Sequence, residues 1–200
     1  MDNREKIIEC ALELFFHRGY DAVGIQEICQ SAGITKPTLY HYFGSKHGLL
    51  ETLLEERLSG EIGKLEQYVD GMSGTDISYI GMEQILYRYA DGLIDFANRN
   101  YKVYMVFMSM SYSAKDSETH QAVLPYLSRM YGAAVRLFTR SSGLLGNMNG
   151  RQEQFAIGFL GLINQYILLV ENRDKTEEQI LVSEEKKHSL VHQFMHGIYS

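Results

Sequence analysis

Gly33-Ile34-Thr35-Lys36-Pro37-Thr38-Leu39-Tyr40-His41-Tyr42-Phe43-Gly44-Ser45-Lys46 is the stretch whose reading decides the fold. It gathers hydroxyls, an imidazole and two lysines around two glycines, with no carboxylate. Gly33 tolerates a positive φ and so permits a tight turn. Thr35 can then cap a helix by accepting from an early backbone N–H, and Pro37 is tolerated because first-turn amides lack helical partners. The spacing predicts a short helix over 36–43 that ends near Gly44. In that helix Leu39 and Phe43 lie four apart on one face, which can bury. Thr38, His41 and Tyr42 fall on a different arc, with Lys36, Pro37 and Tyr40 at its margins.

Working outward, Ile8, Ala11, Leu12 and Phe15 form one apolar stripe upstream, and Gly19 offers a left-handed stop for that first helix. A second, short helix is expected from about 25 to 32, burying Ile25, Ile28 and Cys29. Two short helices joined by a glycine turn, the second with a polar outer face, fit a helix-turn-helix whose second helix enters the major groove. Downstream, Ser45 can cap a much longer helix. Its stripe of Leu50, Leu53, Leu54, Leu58, Ile62, Leu65 and Val69 implies a rod of about 25 residues, or about 37 Å.

Only two prolines occur in 200 residues, and apolar residues recur at three- and four-residue spacing almost throughout, so the fold class is all-α with about nine helices. The glycine-rich segment 71–76 is the clearest linker. Beyond it, helices are expected over about 77–98, 101–112, 117–140, 151–171 and 176–198. The organisation is an N-terminal three-helix domain over 1–47 and a C-terminal helical domain over 48–200, with a long connecting helix over about 46–70.

A net charge of −6 argues against nucleic-acid binding by overall charge, so any such contact must be local. Residues 28–50 supply the place: they contain Lys36, Lys46, His41 and His47 without one Asp or Glu. Lys46, in the first turn of the long helix, can hold a phosphate together with free backbone amides. Thr38 and the tyrosine hydroxyls can donate to phosphates, while Pro37, His41 and Tyr42 are candidates for base-edge or thymine-methyl contact. The alternative is a stable three-helix bundle whose polar face is merely solvated. No secretory signal is visible at the N-terminus, and the most apolar run, 155–170, is short for a bilayer span and contains Asn164 and Gln165. The expectation is a soluble, cytoplasmic protein without membrane contact.

These residues closely resemble the TetR family of bacterial transcriptional repressors. The match runs through Ala11 to Phe15, Gly19-Tyr20, Val23, Ile28, Ala32-Gly33-Ile34-Thr35, Leu39-Tyr40-His41-Tyr42-Phe43, Lys46 and Leu49-Leu50. One departure is Gly24, where the family usually carries Ser or Thr as the cap of the second helix; glycine is a weaker cap. The resemblance implies a DNA-binding regulator, acting as a homodimer on a palindromic operator of double-stranded DNA. It also implies a C-terminal domain that binds a small-molecule effector and dimerises through its last two helices. By position, Lys36, Pro37, Thr38, Tyr40, His41, Tyr42 and Lys46 correspond to the DNA contacts. No effector residue transfers, because that half has no shared ligand motif.

The C-terminal half carries its own signals. Tyr87, Phe96, Tyr104, Met105, Met108, Tyr112, Tyr126 and Met130 belong to a run dense in aromatic and methionine side chains, suited to a hydrophobic, aromatic or cationic effector. Ordinary core explains any single one of them. Asp91 and Asp95 can supply a counter-charge or simply face water. Along 155–170, Gly158 and Gly161 permit close helix approach, and Phe159, Leu162, Ile163 and Tyr166, with Leu190 and Phe194 of the last helix, are the candidate dimer seam. Intrachain packing is the rival reading.

His188, His192 and His196 lie four apart on one helical face, with Glu184 one turn earlier, a spacing compatible with a transition metal. Three turns spread the ligands widely, so a polar surface stripe is the expectation, with no metal and no cofactor. Cys10 and Cys29 read as buried and unreactive, which disfavours redox sensing. The competing function is an all-helical ligand carrier or enzyme with an incidental N-terminal bundle. It would need a nucleophile–base pair, a metal cluster or a phosphate loop, and none appears with convincing spacing.

Overall fold

A computed structural model describes residues 2–72, 79–142, 148, 150–171 and 182–197. Among the described residues there are nine helices and no strand: α1 Asn3–Arg18, α2 Ile25–Ala32, α3 Lys36–Phe43, α4 Lys46–Asp70, α5 Tyr79–Arg99, α6 Tyr101–Ser111, α7 Glu118–Ser141, α8 Gln152–Glu171 and α9 Glu184–His196. No described helix is long and apolar enough to cross a membrane. Part of the expected linker 71–76, part of the loop after α7, and the loop after α8 lie outside the described residues. So do Ile180, Leu181 and Ile198, which were expected in the last helix.

One expected boundary is corrected. The last helix does not run unbroken from 176, because Ser183 is extended (φ −65°, ψ 154°) and caps α9 by accepting from the Lys186 N–H. A serine hydroxyl that satisfies an orphan first-turn donor fixes the helix start.

The chain forms two compact units, residues 1–60 with 102–127, and residues 61–101 with 128–200. In the first, Ile7, Ile8, Ala11, Leu12 and Phe15 of α1 are buried, as are Ile28, Cys29 and Ala32 of α2, Leu39 and Phe43 of α3, and Leu49, Leu50, Leu53 and Leu54 of α4. The three- and four-residue spacing of these positions gives each helix one apolar face. Ile25, expected in this core, is only half-buried. Around the core, Arg57 of α4 donates to Glu9 at 2.6 Å and to Glu5 of α1, and Lys102 of α6 donates to Glu13 at 2.6 Å.

In the second unit, Tyr89, Phe138 and Phe159 are fully buried and Phe194 packs among them. Phe159 and Phe194 have ring centroids 5.0 Å apart, and Phe138 and Phe159 meet edge to face at 5.9 Å. Such tilted contacts suit the aromatic quadrupole. Tyr89 satisfies its hydroxyl by donating to the Met130 carbonyl at 3.2 Å.

Candidate nucleic-acid interface

The turn before α3 is made as its glycine requires. Gly33 is left-handed (φ 63°, ψ 39°), and the Ile34 N–H donates to Cys29 O at 3.0 Å, closing α2. Thr35 precedes α3 but makes no side-chain cap, contrary to expectation; its hydroxyl pairs instead with the Thr38 hydroxyl at 2.9 Å. Ser45 does cap α4, accepting from the Gly48 N–H at 2.9 Å. The α3–α4 junction is tight enough that a Cβ on Gly48 would lie 2.1 Å from the Phe43 carbonyl oxygen, so only glycine fits without a backbone shift.

Leu39 and Phe43 anchor α3 to the core, and the other face is left outward. Lys36, Pro37, Tyr40, His41 and Tyr42 are exposed, with Tyr40 and Tyr42 at 46% and 41%, while Thr38 is half-buried. His41 and Tyr42 meet edge to face with centroids 5.5 Å apart. One short helix thus presents a cation, two phenols, an imidazole and a pyrrolidine side by side.

Lys46 sits differently from its neighbours. It is half-buried, and its ammonium donates to Tyr20 O and Val23 O, each at 3.1 Å, while lying 3.9 Å from the Tyr20 ring centroid. Two of its three donors are therefore committed to the α1–α2 connection, which leaves one for any other acceptor. Sequence reading missed this role, although the acceptors are main-chain atoms and leave no residue-type signal. Tyr20 in turn donates to Glu118 at 3.1 Å, and His47 approaches Glu118 at 3.0 Å and Glu51 at 3.3 Å. Burial, together with the Glu118 carboxylate, pushes the Tyr20 phenol well above its ordinary range.

The eight expected effector residues do not share one unit. Tyr104, Met105, Met108, Tyr112 and Tyr126 belong to the first, and Tyr87, Phe96 and Met130 to the second. Tyr104, Met108 and Tyr126, and in the other unit Phe96 and Met130, are buried, whereas Tyr112 is 72% exposed. Tyr87 stacks on His188 with centroids 4.0 Å apart and donates to Glu184. That bond raises the Tyr87 phenol to about 12.

The expected dimer seam is corrected in part. Phe159, Ile163 and Leu190 are 1%, 1% and 4% exposed within a single chain, so their area is already covered by their own unit. Leu162, Tyr166 and Phe194 are half-buried. The apolar side chains that α8 turns outward are Ile157 and Leu169, at 61% and 55%, with Gly158 and Gly161 on the same exposed face. Of the cysteines, Cys29 is buried and burial pushes its thiol up, while Cys10 is half-buried rather than enclosed as expected.

Comparison with known proteins bears on this geometry. Residues 7–53 match the family model of bacterial regulatory proteins, tetR family, a span that runs from α1 into α4. The HTH-type transcriptional repressor KstR2 of Mycolicibacterium smegmatis is 30% identical over 96 residues, 46% of this chain and 47% of that protein. The HTH-type transcriptional activator FasR of the same organism is 26% identical over 161 residues, 80% of this chain and 68% of that protein. The chain thus spans about half the length of KstR2 and about two thirds of FasR. Among solved structures, the transcriptional regulator FadR of Bacillus subtilis in complex with stearoyl-CoA superposes with a TM-score of 0.72 over 98% of this chain and 99% of that one, at 17% identity. This last likeness is one of fold.

Proposed function

We propose that the chain is a DNA-binding transcriptional regulator of the TetR family, whose model residues 7–53 match, and a repressor that leaves a palindromic operator when a small hydrophobic effector binds. The carrying observation is α3 itself, anchored by buried Leu39 and Phe43 and offering Lys36, Pro37, Tyr40, His41 and Tyr42 to solvent within an acid-free stretch of an acidic chain. Such a helix places cations and hydroxyls where phosphates would lie and aromatic edges where bases would lie. Thr38 adds a hydroxyl at the margin, and Lys46 adds the one ammonium donor left over from the α1–α2 connection.

The protein acts as a dimer, with two copies of α3 reading half-sites one helical turn apart. The exposed face of α8, around Ile157, Gly161 and Leu169, supplies self-complementary apolar area for that dimer. The effector biases one of two arrangements of the α3 pair and needs no chemistry of its own. Since the similar FadR of Bacillus subtilis is described in complex with stearoyl-CoA, a long-chain acyl thioester is the first effector class to try. A cytoplasmic location follows from a role at DNA.

Footprinting on the DNA upstream of the protein's own reading frame tests this reading. Protection of a two-fold symmetric site that is lost in T38A and Y42A is the expected result. Protection unaltered by both substitutions, with folding intact, overturns it.

A further inference from the structure

Two histidines and one glutamate meet in the second unit in a way the periodicity of α9 alone did not reveal. The stripe of His188, His192 and His196 is divided in the folded chain. His188 is drawn onto the Tyr87 ring, stacked at 4.0 Å with an interplanar angle of 11°. His192 and His196 instead stand together, with centroids 4.3 Å apart, facing Glu83 of α5. His192 Nδ1 lies 3.7 Å from Glu83 Oε1. One ligand atom from each of Glu83, His192 and His196 falls within 4.8 Å of the others.

We infer that Glu83, His192 and His196 form a binding site for a divalent transition-metal ion of the zinc class. Histidines at i and i+4 on a helix present two imidazoles to one point, and a carboxylate from a neighbouring helix completes a three-ligand set that leaves a fourth position for water. Two nitrogens exclude magnesium and calcium as the preferred ions, since those want oxygen throughout. Tetrahedral zinc with bonds of about 2.0–2.2 Å holds its ligand atoms about 3.4 Å apart, so separations of up to 4.8 Å need to close by about 1.4 Å at most. His192 and Glu83 have side chains 55% and 33% exposed, and rotation about their χ angles provides that movement without disturbing the core. A bound ion would join α5 to α9 through Glu83 and the last two turns of α9.

The test is Zn2+ competition against a chromophoric chelator, on full-length protein without a polyhistidine tag. One equivalent should bind per chain. H192A and H196A should each weaken binding at least ~10-fold, since even changes behind the ligands cost that much. E83Q should weaken it measurably, and H188A should leave it unchanged. Cobalt bound to H188A should give the intense visible bands of a four-coordinate site, in a background whose fold is checked by circular dichroism. Wild-type protein that fails to compete overturns the site. So does equal binding by the H192A/H196A double variant, an E83Q affinity equal to wild type, or an H188A loss as large as that of H196A.

Discussion

The Lys46 ammonium lies 3.9 Å from the centroid of the Tyr20 ring and donates to the Tyr20 carbonyl at 3.1 Å, so one side chain of α4 holds both the ring and the main chain of a residue just past α1. Val23 O takes a second bond from the same nitrogen. The first-turn cation of α4 therefore holds the α1–α2 connection in place, beside α2 and the turn that aims α3. K46M removes two charged hydrogen bonds and a cation–π contact while keeping the aliphatic stem. Hydrogen bonds to charged groups contribute about 1.5–3 kcal/mol, and K46M should lower the unfolding free energy by roughly 2 kcal/mol in urea titration. A variant as stable as wild type would mean that the carbonyls are equally well served by water.

Lys36 occupies the opposite situation. It is exposed at the start of α3 and its surroundings contain no carboxylate within the stretch 28–50. K36A should leave stability within about 0.5 kcal/mol of wild type. On operator DNA it should lower affinity by a similar factor for all sequences and reduce the slope of log K against log salt by about 1, the signature of one phosphate contact. A change in sequence preference with an unaltered slope would place Lys36 on a base edge instead.

What could be read from the chain before folding divides along physical lines. Helix positions follow from local periodicity, and Gly33, Gly44 and Ser45 mark their ends by conformational or capping demands that act within a few residues. The outward face of α3 was readable for the same reason, because Leu39 and Phe43 had to bury. Contacts between residues distant in sequence were not readable. Nothing local announces that Lys46 meets two carbonyls, that Glu83 faces His192 across 3.7 Å, or that residues 102–127 pack with residues 1–60. Gly48 is an intermediate case: a glycine in the first turn of a helix looks merely weakening until the Phe43 carbonyl is placed 2.1 Å from its missing Cβ. On α8, size and apolarity identify positions that bury without saying which body buries them. Phe159 and Ile163 went to their own chain, and Ile157 and Leu169 did not.

That division separates two substitutions on one helix. F159A should empty a fully buried site in the aromatic cluster and cost about 3–5 kcal/mol of stability. I157E and L169E alter exposed positions, and neither should lower the thermal midpoint of an isolated chain beyond the small effect of a surface change. Both should weaken self-association, because each would bury an unpaired carboxylate between two copies. Light scattering after size exclusion is expected to move from dimer toward monomer in each variant. Dimers retained by both at micromolar concentration would assign the interface to another face.

Lys187 provides the pH-dependent prediction. Its side chain is 9% exposed, and its ammonium donates to Asp91 at 2.5 Å and Glu184 at 2.7 Å, tying α9 to α5. Burial alone would lower its pKa, but the hydrogen bonds it donates to the two carboxylates outweigh that and raise it above the ordinary lysine value of 10.5. A cation whose folded pKa is raised contributes stability that is complete below the unfolded pKa and is lost as pH climbs through the folded one. At pH 7–9 K187M should therefore be less stable than wild type by a constant amount of about 2 kcal/mol, the scale of charged hydrogen bonds. Above pH 10.5 the gap should narrow, as the unfolded lysine and then the folded one lose their protons. Measuring both proteins at each pH cancels the titration of the tyrosines they share. A gap that stays level to pH 12 would mean that packing of the aliphatic stem, rather than the ion pair with Asp91, fixes α9 against α5.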